Sequence, residues 1–263
     1  ETVTKPDGAG TVEMTQMEMR GGYPIYKERG HFMDRVVFVS YSDDNGKTWH
    51  KGKPFKGPLK WAFTSTGHVI ERPDGELWLL LYGCVTDEEV DSYSSSNCIV
   101  RSRDEGKTWG DPSFVFRTNP KGPDDFQAEP RYSEMDIVQL PSGSLLAFSR
   151  ADSRVGVTKA AVSVDNGRSW RKTGASLSGV SQQTGLALPD GGVALAYRSH
   201  SWQQPGVAIS YDEGRSFSYL LGGPYDTSCA FVTAKDEFVF FTEGSHRSDG
   251  SAGVYRFVPN LGD

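Results

Sequence analysis

Three arginines stand where the chain repeats itself. Arg29, Arg150 and Arg198 each lie seven residues after a turn glycine, at Gly22, Gly143 and Gly191. The same count from Gly75 and Asp236 reaches Tyr82 and Glu243. Nine residues before those five turns stand Glu13, Thr66, Glu134, Gln182 and Thr227, all polar. An antiparallel hairpin sets the start of its first strand beside the end of its second, so the two sets share one rim. A guanidinium meets a carboxylate through two parallel hydrogen bonds, and three in register describe an anion receptor. Arg150 and Arg198 each end an apolar run, where a charge faces water or a site. Glu134, Glu243 and Tyr225 nearby could move a proton or attack a bond. The competing reading makes the arginines strand caps, paired with Asp152 or Glu28.

What must position these residues is a repeat. The pattern Ser-x-Asp-x-Gly-x-(Thr/Ser)-aromatic occurs at 42–49, 102–109, 163–170 and 210–217. Its aspartates lie 60, 61 and 47 residues apart, and recurrence at that period marks a repeat architecture. The box is turn chemistry: glycine supplies a positive φ, and Asp and Ser bond nearby amides. β-rich runs precede the boxes at 34–41, 97–103, 159–164 and 206–211, so each box predicts a hairpin. Upstream turns, at Pro73-Asp74-Gly75, Pro141-Ser142-Gly143 and Pro189-Asp190-Gly191, join two more strands. Four antiparallel strands per repeat describe a propeller blade, and no long window has helical periodicity. A fifth run, 227–244 then 252–258, lacks a box. We expect one all-β propeller domain over 1–263, five blades favoured and six the alternative. The N-terminus would complete the last sheet and hide its edge.

Composition narrows the function. The 263 residues hold 12% aromatics and 30 glycines, which suits one turn-rich β domain. A net charge of -6 argues against bulk nucleic-acid binding. No stretch of 18 apolar residues spans a membrane. The chain as given opens at Glu1 without a signal peptide, which allows a processed N-terminus, and the expected location is secreted or periplasmic. Cys84 and Cys98 flank a Ser-rich loop and could bond as hairpin partners or remain buried thiols, with Cys229 left over. Neither metal nor cofactor spacing is present, and the acidic 87–96 loop lacks calcium-loop spacing.

Boxes and blades together resemble the sialidase (neuraminidase) superfamily over roughly residues 20–260. In that family the boxes lie at the blade periphery, away from the active site. Tyr132-Ser-Glu134, the Gly143 turn and the strand ending at Arg150 match a sialidase stretch. There the Glu polarises a tyrosine nucleophile and the Arg binds the substrate carboxylate. The run from Tyr225 to Phe231, with Thr242-Glu243, matches the family's tyrosine strand and makes Tyr225 the nucleophile. A phenol suits an anomeric carbon bearing a carboxylate, since it carries no charge to be repelled. The resemblance also calls for an acid in the loop before the first box, where Asp34 or His31 could serve. Two departures stand out. The family's opening Arg-Ile-Pro is absent, with Glu13 near its place. The family's third arginine would fall at Gln203-Gln204-Pro205-Gly206, so Arg198 must substitute.

The resemblance thus implies a retaining glycoside hydrolase releasing a terminal acidic sugar, sialic acid or a relative, from a glycan or glycoconjugate. Arg29, Arg150 and Arg198 would bind its carboxylate. Two rival readings stand beside it. One is a uronic-acid hydrolase or lyase using His31, His200 or Glu243. The other is a non-catalytic propeller that binds a glycan or protein. Trp61, Trp202 and Tyr82 offer faces for sugar rings. Asp136 alternates with Glu134 and would share its face, or else hydrogen-bond into the strand ends. His246 and Arg247 read as solvated.

Overall fold

The structure is a computed structural model. It describes residues 2–4, 11–13, 16–20, 23–28, 31–32, 36–87, 89, 94–118, 131–152, 157–188, 190–199, 205–220, 226–232, 238–243 and 252–257, with side chains through most of 36–218. Short strands open it: β1 (Thr2–Thr4), β2 (Thr11–Glu13), β3 (Gln16–Arg20), β4 (Tyr23–Glu28) and β5 (His31–Phe32). Three four-stranded antiparallel sheets follow. The first is β6 (Trp61–Glu71), β7 (Leu77–Cys84), β8 (Ser96–Ser102) and β9 (Gly110–Phe116). The second is β10 (Arg131–Gln139), β11 (Leu145–Asp152), β12 (Val157–Ser163) and β13 (Arg171–Ser178). The third is β14 (Val180–Ala187), β15 (Val193–Ser199), β16 (Pro205–Ser210) and β17 (Ser218–Leu220). A three-stranded sheet, β18 (Asp226–Val232), β19 (Phe238–Glu243) and β20 (Ala252–Phe257), ends the described chain. The predicted repeat unit is therefore present: hairpin, loop, strand, box, strand.

Successive sheets meet through their first strands, β6 against β10, β10 against β14 and β14 against β18. Both faces of each middle sheet are covered, which is why their strands read as nearly continuous apolar runs rather than alternating ones. Trp78 and Leu80 of β7 pack with Met135, Ile137 and Leu145 of the next sheet. Leu79 and Leu81, on the opposite face, pack with Val37 and Leu59 of the preceding segment. Val138, Leu146 and Phe148 then meet Val180, Val193 and Leu195.

The first box's hairpin departs from expectation. Residues 34–41 were predicted as a strand, yet the described part holds only two bridges, Val37 to Phe55 and Tyr41 to His50. Pro54 offers no amide to a ladder there. The N-terminal segment also pairs differently. Thr2–Thr4 bonds Thr11–Glu13, and no join to β18–β20 occurs among the described residues. Glu13 faces Thr2 across that small ladder and lies outside the β3–β4 hairpin, so it is not the counterpart of Glu134.

The four boxes are nearly superimposable. In each, the serine hydroxyl donates to Asp Oδ1 at 2.7–2.8 Å and accepts the glycine amide at 2.8–2.9 Å. The aspartate accepts the Thr or Ser amide at Oδ1 and its hydroxyl at Oδ2. Two successive residues take left-handed φ: Asn45, Glu105, Asn166 and Glu213, then the glycines. Two of those glycines do more than turn. A Cβ on Gly167 would sit 2.6 Å from Trp78, and one on Gly214 2.5 Å from Leu146, each in the preceding sheet.

These bonds hold the box aspartates at about 2, first through the Thr or Ser hydroxyl and then through its amide. A carboxylate depressed in the folded state stabilises above its unfolded pKa, and that contribution is lost as pH falls from about 4 toward 2. An Asp165→Asn variant should therefore unfold at lower urea than wild type at pH 5, and the gap should shrink at pH 3. A gap unchanged between those two pH values contradicts this.

Cys84 and Cys98 are free, which settles the thiol alternative against the disulfide. Cys98 pairs with Leu81, three positions before Cys84, so the two cysteines project from opposite faces of the sheet. Cys84 Sγ donates to Ser94 O at 2.8 Å instead, and burial pushes the Cys98 thiol up to about 12.

Candidate functional site

The first strand of each of the last four sheets breaks its ladder near its start. Register shifts fall between Thr64 and Val69, Tyr132 and Met135, Ser181 and Thr184, and Thr227 and Cys229. In the middle two, two first-strand residues oppose one on the second strand: Ser133 and Glu134 against Arg150, and Gln182 and Gln183 against Tyr197. Such bulges re-aim side chains and gather next to active sites. The polar positions read from the turn count, Thr66, Glu134 and Gln182, all lie inside these breaks, and Thr227 borders one.

Around the second sheet's bulge the side chains build a half-buried ion pair. Arg150 Nη1 donates to both oxygens of Glu134, at 3.1 Å each. The side chains are 14% and 23% exposed, so the pair is shielded yet reachable. Ser133 Oγ adds a bond to Glu134 Oε2 at 2.9 Å. Beside it stand aromatics of the first sheet. Tyr82 stacks on Phe63 with centroids 5.0 Å apart, and Trp61 meets Phe63 edge-on at 5.2 Å. All three rings are partly exposed. Tyr82 pairs across the ladder with Asn97, whose amide reaches Ser133 O at 2.7 Å, which ties the rings to the ion pair. The arrangement offers a guanidinium, a carboxylate and flat apolar faces at one strand end, suited to an anionic, ring-shaped ligand.

The remaining sequence candidates divide by what is described. Arg198 lies on β15 opposite Ser181, and Glu243 on β19 opposite Asp226. Both stand as far past their turns as Arg150 does, yet each pairs beyond its sheet's bulge rather than opposite it, and only their backbone is described. His31 is likewise described through its backbone alone, in β5. Arg29, Asp34, Tyr225, His200, Trp202, His246 and Arg247 lie outside the described residues. Asp136 takes the second of its two readings, a hydrogen bond into the strands: it is 1% exposed and accepts the amides of Ile137 and Gly185, both at 2.8 Å. It ties β10 to β14 instead of facing the rim. Asp152, offered as a strand-cap partner, pairs along the ladder with Arg131. Among the described residues no group of three His, Cys, Asp or Glu could hold a metal.

Antiparallel four-stranded sheets, each carrying a box between its third and fourth strands, and meeting through their first strands, define a repeat-built all-β scaffold. The chain belongs to the BNR repeat-like domain family, which it matches over residues 62–245, and residues 40–51 match the BNR/Asp-box repeat. A sialidase of Paraclostridium sordellii is 28% identical over 149 residues, 52% of this chain and 32% of that protein. A Hadza microbial sialidase superimposes with a TM-score of 0.61 at 15% identity, covering 86% of this chain and 50% of its own. NanB sialidase from Streptococcus pneumoniae gives 0.59 at 15% identity, covering 99% and 42%. The fold is thus that of the sialidase superfamily. The chain spans about a third of the sialidase from Paraclostridium and no more than half of either solved chain.

Proposed function

We propose that this chain is a sialidase-like glycoside hydrolase that releases a terminal acidic sugar from a glycan. The observation that carries the reading is the Glu134–Arg150 pair, set by a bulge at the inner end of a sheet in a sialidase-type fold. Arg150 binds the sugar carboxylate, helped by Arg198 and Arg29 from neighbouring sheets. Tyr225 is the nucleophile and Glu134 its base. A carboxylate has about four acceptor positions. Arg150 and Ser133 occupy three of them, which leaves Oε1 able to take the phenol proton. Asp34, with His31 as the alternative, protonates the leaving oxygen. Tyr82 lies along the sugar and Glu243 lines the rim. Attack by the phenolate gives a glycosyl-enzyme that water resolves, so configuration is retained. We read the sheets as blades of one propeller, five favoured and six the alternative, acting outside the cytoplasm.

Hydrolysis of a fluorogenic sialoside by wild type and Tyr225→Phe tests this. Loss of at least about 100-fold in kcat follows from removing a nucleophile. Full activity in Tyr225→Phe overturns the assignment. Turnover of uronic-acid oligosaccharides but not sialosides selects the uronic-acid reading. Glycan binding without any turnover selects the non-catalytic one.

A further inference from the structure

The bulge that aims Glu134 has lost its own ladder bonds, and the neighbouring sheets supply replacements. Met135 N donates to Ser65 Oγ of β6. Ser133 O accepts from Asn97 Nδ2 at 2.7 Å, and from Ser65 Oγ at 3.3 Å. Glu134 O accepts from Gln183 Nε2 at 2.9 Å, a donor on the other neighbouring sheet. Both amides are 0% exposed. Each is also oriented from its oxygen side by a hydroxyl of the bulge's own sheet. Ser149 Oγ donates to Asn97 Oδ1, and Thr158 Oγ1 shares its proton between Gln183 Oε1 and Val180 O, both at 3.0 Å. Both hydroxyl residues are themselves fully buried. The pattern is symmetric: a hydroxyl given to the amide oxygen, an N–H given to a bulge carbonyl, once from each side.

We infer that Asn97 and Gln183 are positioning residues, two buried amides from flanking sheets that clamp the Ser133–Glu134 backbone and so fix the Glu134 carboxylate against Arg150. The inference rests on the hydrolase reading for its effect on rate, though not for its effect on geometry. Without Gln183 the Glu134 carbonyl loses this donor, and without Asn97 the Ser133 carbonyl keeps only the longer bond from Ser65, so in a dry interior the backbone moves to restore its bonds. A shift of about 1 Å at a catalytic group costs as much as 100-fold in rate.

The test uses the full chain with Gln183→Met, Asn97→Leu, Thr158→Val and Thr158→Ser, each first shown to unfold cooperatively. With a fluorogenic sialoside, Gln183→Met should lose about 10- to 100-fold in kcat with KM changed less than about threefold, and alter the pH–rate profile. Thr158→Val, which pairs with Arg150 across the ladder and removes the hydroxyl given to Gln183, should move the same way by less, and Thr158→Ser should restore wild-type behaviour. The Arg150 Nε–H resonance, assigned with Arg150→Lys, gives a readout free of turnover. It should shift in Gln183→Met and Asn97→Leu and stay put in the distant control Arg72→Ala. A folded Gln183→Met whose Arg150 resonance coincides with wild type overturns the inference, whatever the activity. A wild type inert on sialosides, with the resonance shifting as expected, sinks the hydrolase reading and leaves the clamp standing.

Discussion

Arg150→Met lowers kcat/KM for a sialoside by about 100- to 1000-fold while the chain stays folded. The guanidinium does two jobs on the proposed reading. It holds both oxygens of Glu134 at 3.1 Å, and it presents a fork to the sugar carboxylate. Truncating the arginine of a shielded pair formed with a ligand carboxylate costs about 2–5 kcal/mol, much of it the burden of that carboxylate left without its partner. At about 1.4 kcal/mol per decade that range brackets the stated loss. Arg150→Lys keeps the charge but not the planar fork, and should fall between methionine and wild type. Steady-state kinetics of the three proteins check this, and wild-type kcat/KM in Arg150→Met contradicts it.

Glu76→Gln is expected to produce the largest loss of stability, about 3–5 kcal/mol. Glu76 is 5% exposed and sits between two arginines: Arg103 Nε at 2.8 Å and Arg101 Nε at 3.5 Å. The Arg101 side chain is 1% exposed and stacks over the Trp78 ring, which Arg72 covers from 4.8 Å. Trp78 Nε1 also donates to Glu76 at 2.6 Å. Burial pushes the Arg101 guanidinium down from its ordinary value, and Asp111 and Glu76 counter that only in part. Glutamine keeps an acceptor for Trp78 and removes the charge, which leaves the buried Arg101 cation compensated by Asp111 without Glu76. Two carbonyls, Asp111 O at 2.6 Å and Gly167 O at 2.9 Å, soften the loss and favour the lower half of the range. In a chain of this size the melting temperature should drop by about 10 °C. The double variant Glu76→Gln/Arg101→Met should recover most of that, since a paired charge replaced by apolar bulk costs little. Thermal unfolding by circular dichroism decides it; a single variant within about 1 °C of wild type contradicts the account.

The repeat was open to reading because turn chemistry is local. Ser, Asp, Gly and Thr act within eight residues, so the boxes at 102–109, 163–170 and 210–217 announce their hairpins. What the boxes hide is long-range. Glu105 and Glu213 take left-handed φ although glutamate has no liking for it, because the Ser–Asp bonds on either side dictate the turn. Counting from the Gly143 and Gly191 turns found Glu134 and Arg150 and pointed one residue away from Gln183. The bulges explain both outcomes. They keep polar residues at a fixed count from the turn, yet an extra residue in the strand changes which of two neighbours faces the adjacent sheet. Asn97 and Ser65 carried no signal, since their partners lie 36 and 68 residues away in another sheet. Cys84 and Cys98 left two readings open for the same reason: register, not loop proximity, decides which face a side chain takes.

On the proposed reading Arg150 is the receptor for the carboxylate of an acidic sugar. A crystal structure of the chain with 2-deoxy-2,3-didehydro-N-acetylneuraminic acid measures that most directly. The account predicts the ligand's carboxylate on the Arg150 guanidinium, its ring along Tyr82 and Phe63, and Glu134 still held by Nη1. A ligand seated elsewhere, or Arg150 bonded to Glu134 alone in crystals saturated with it, would contradict the account.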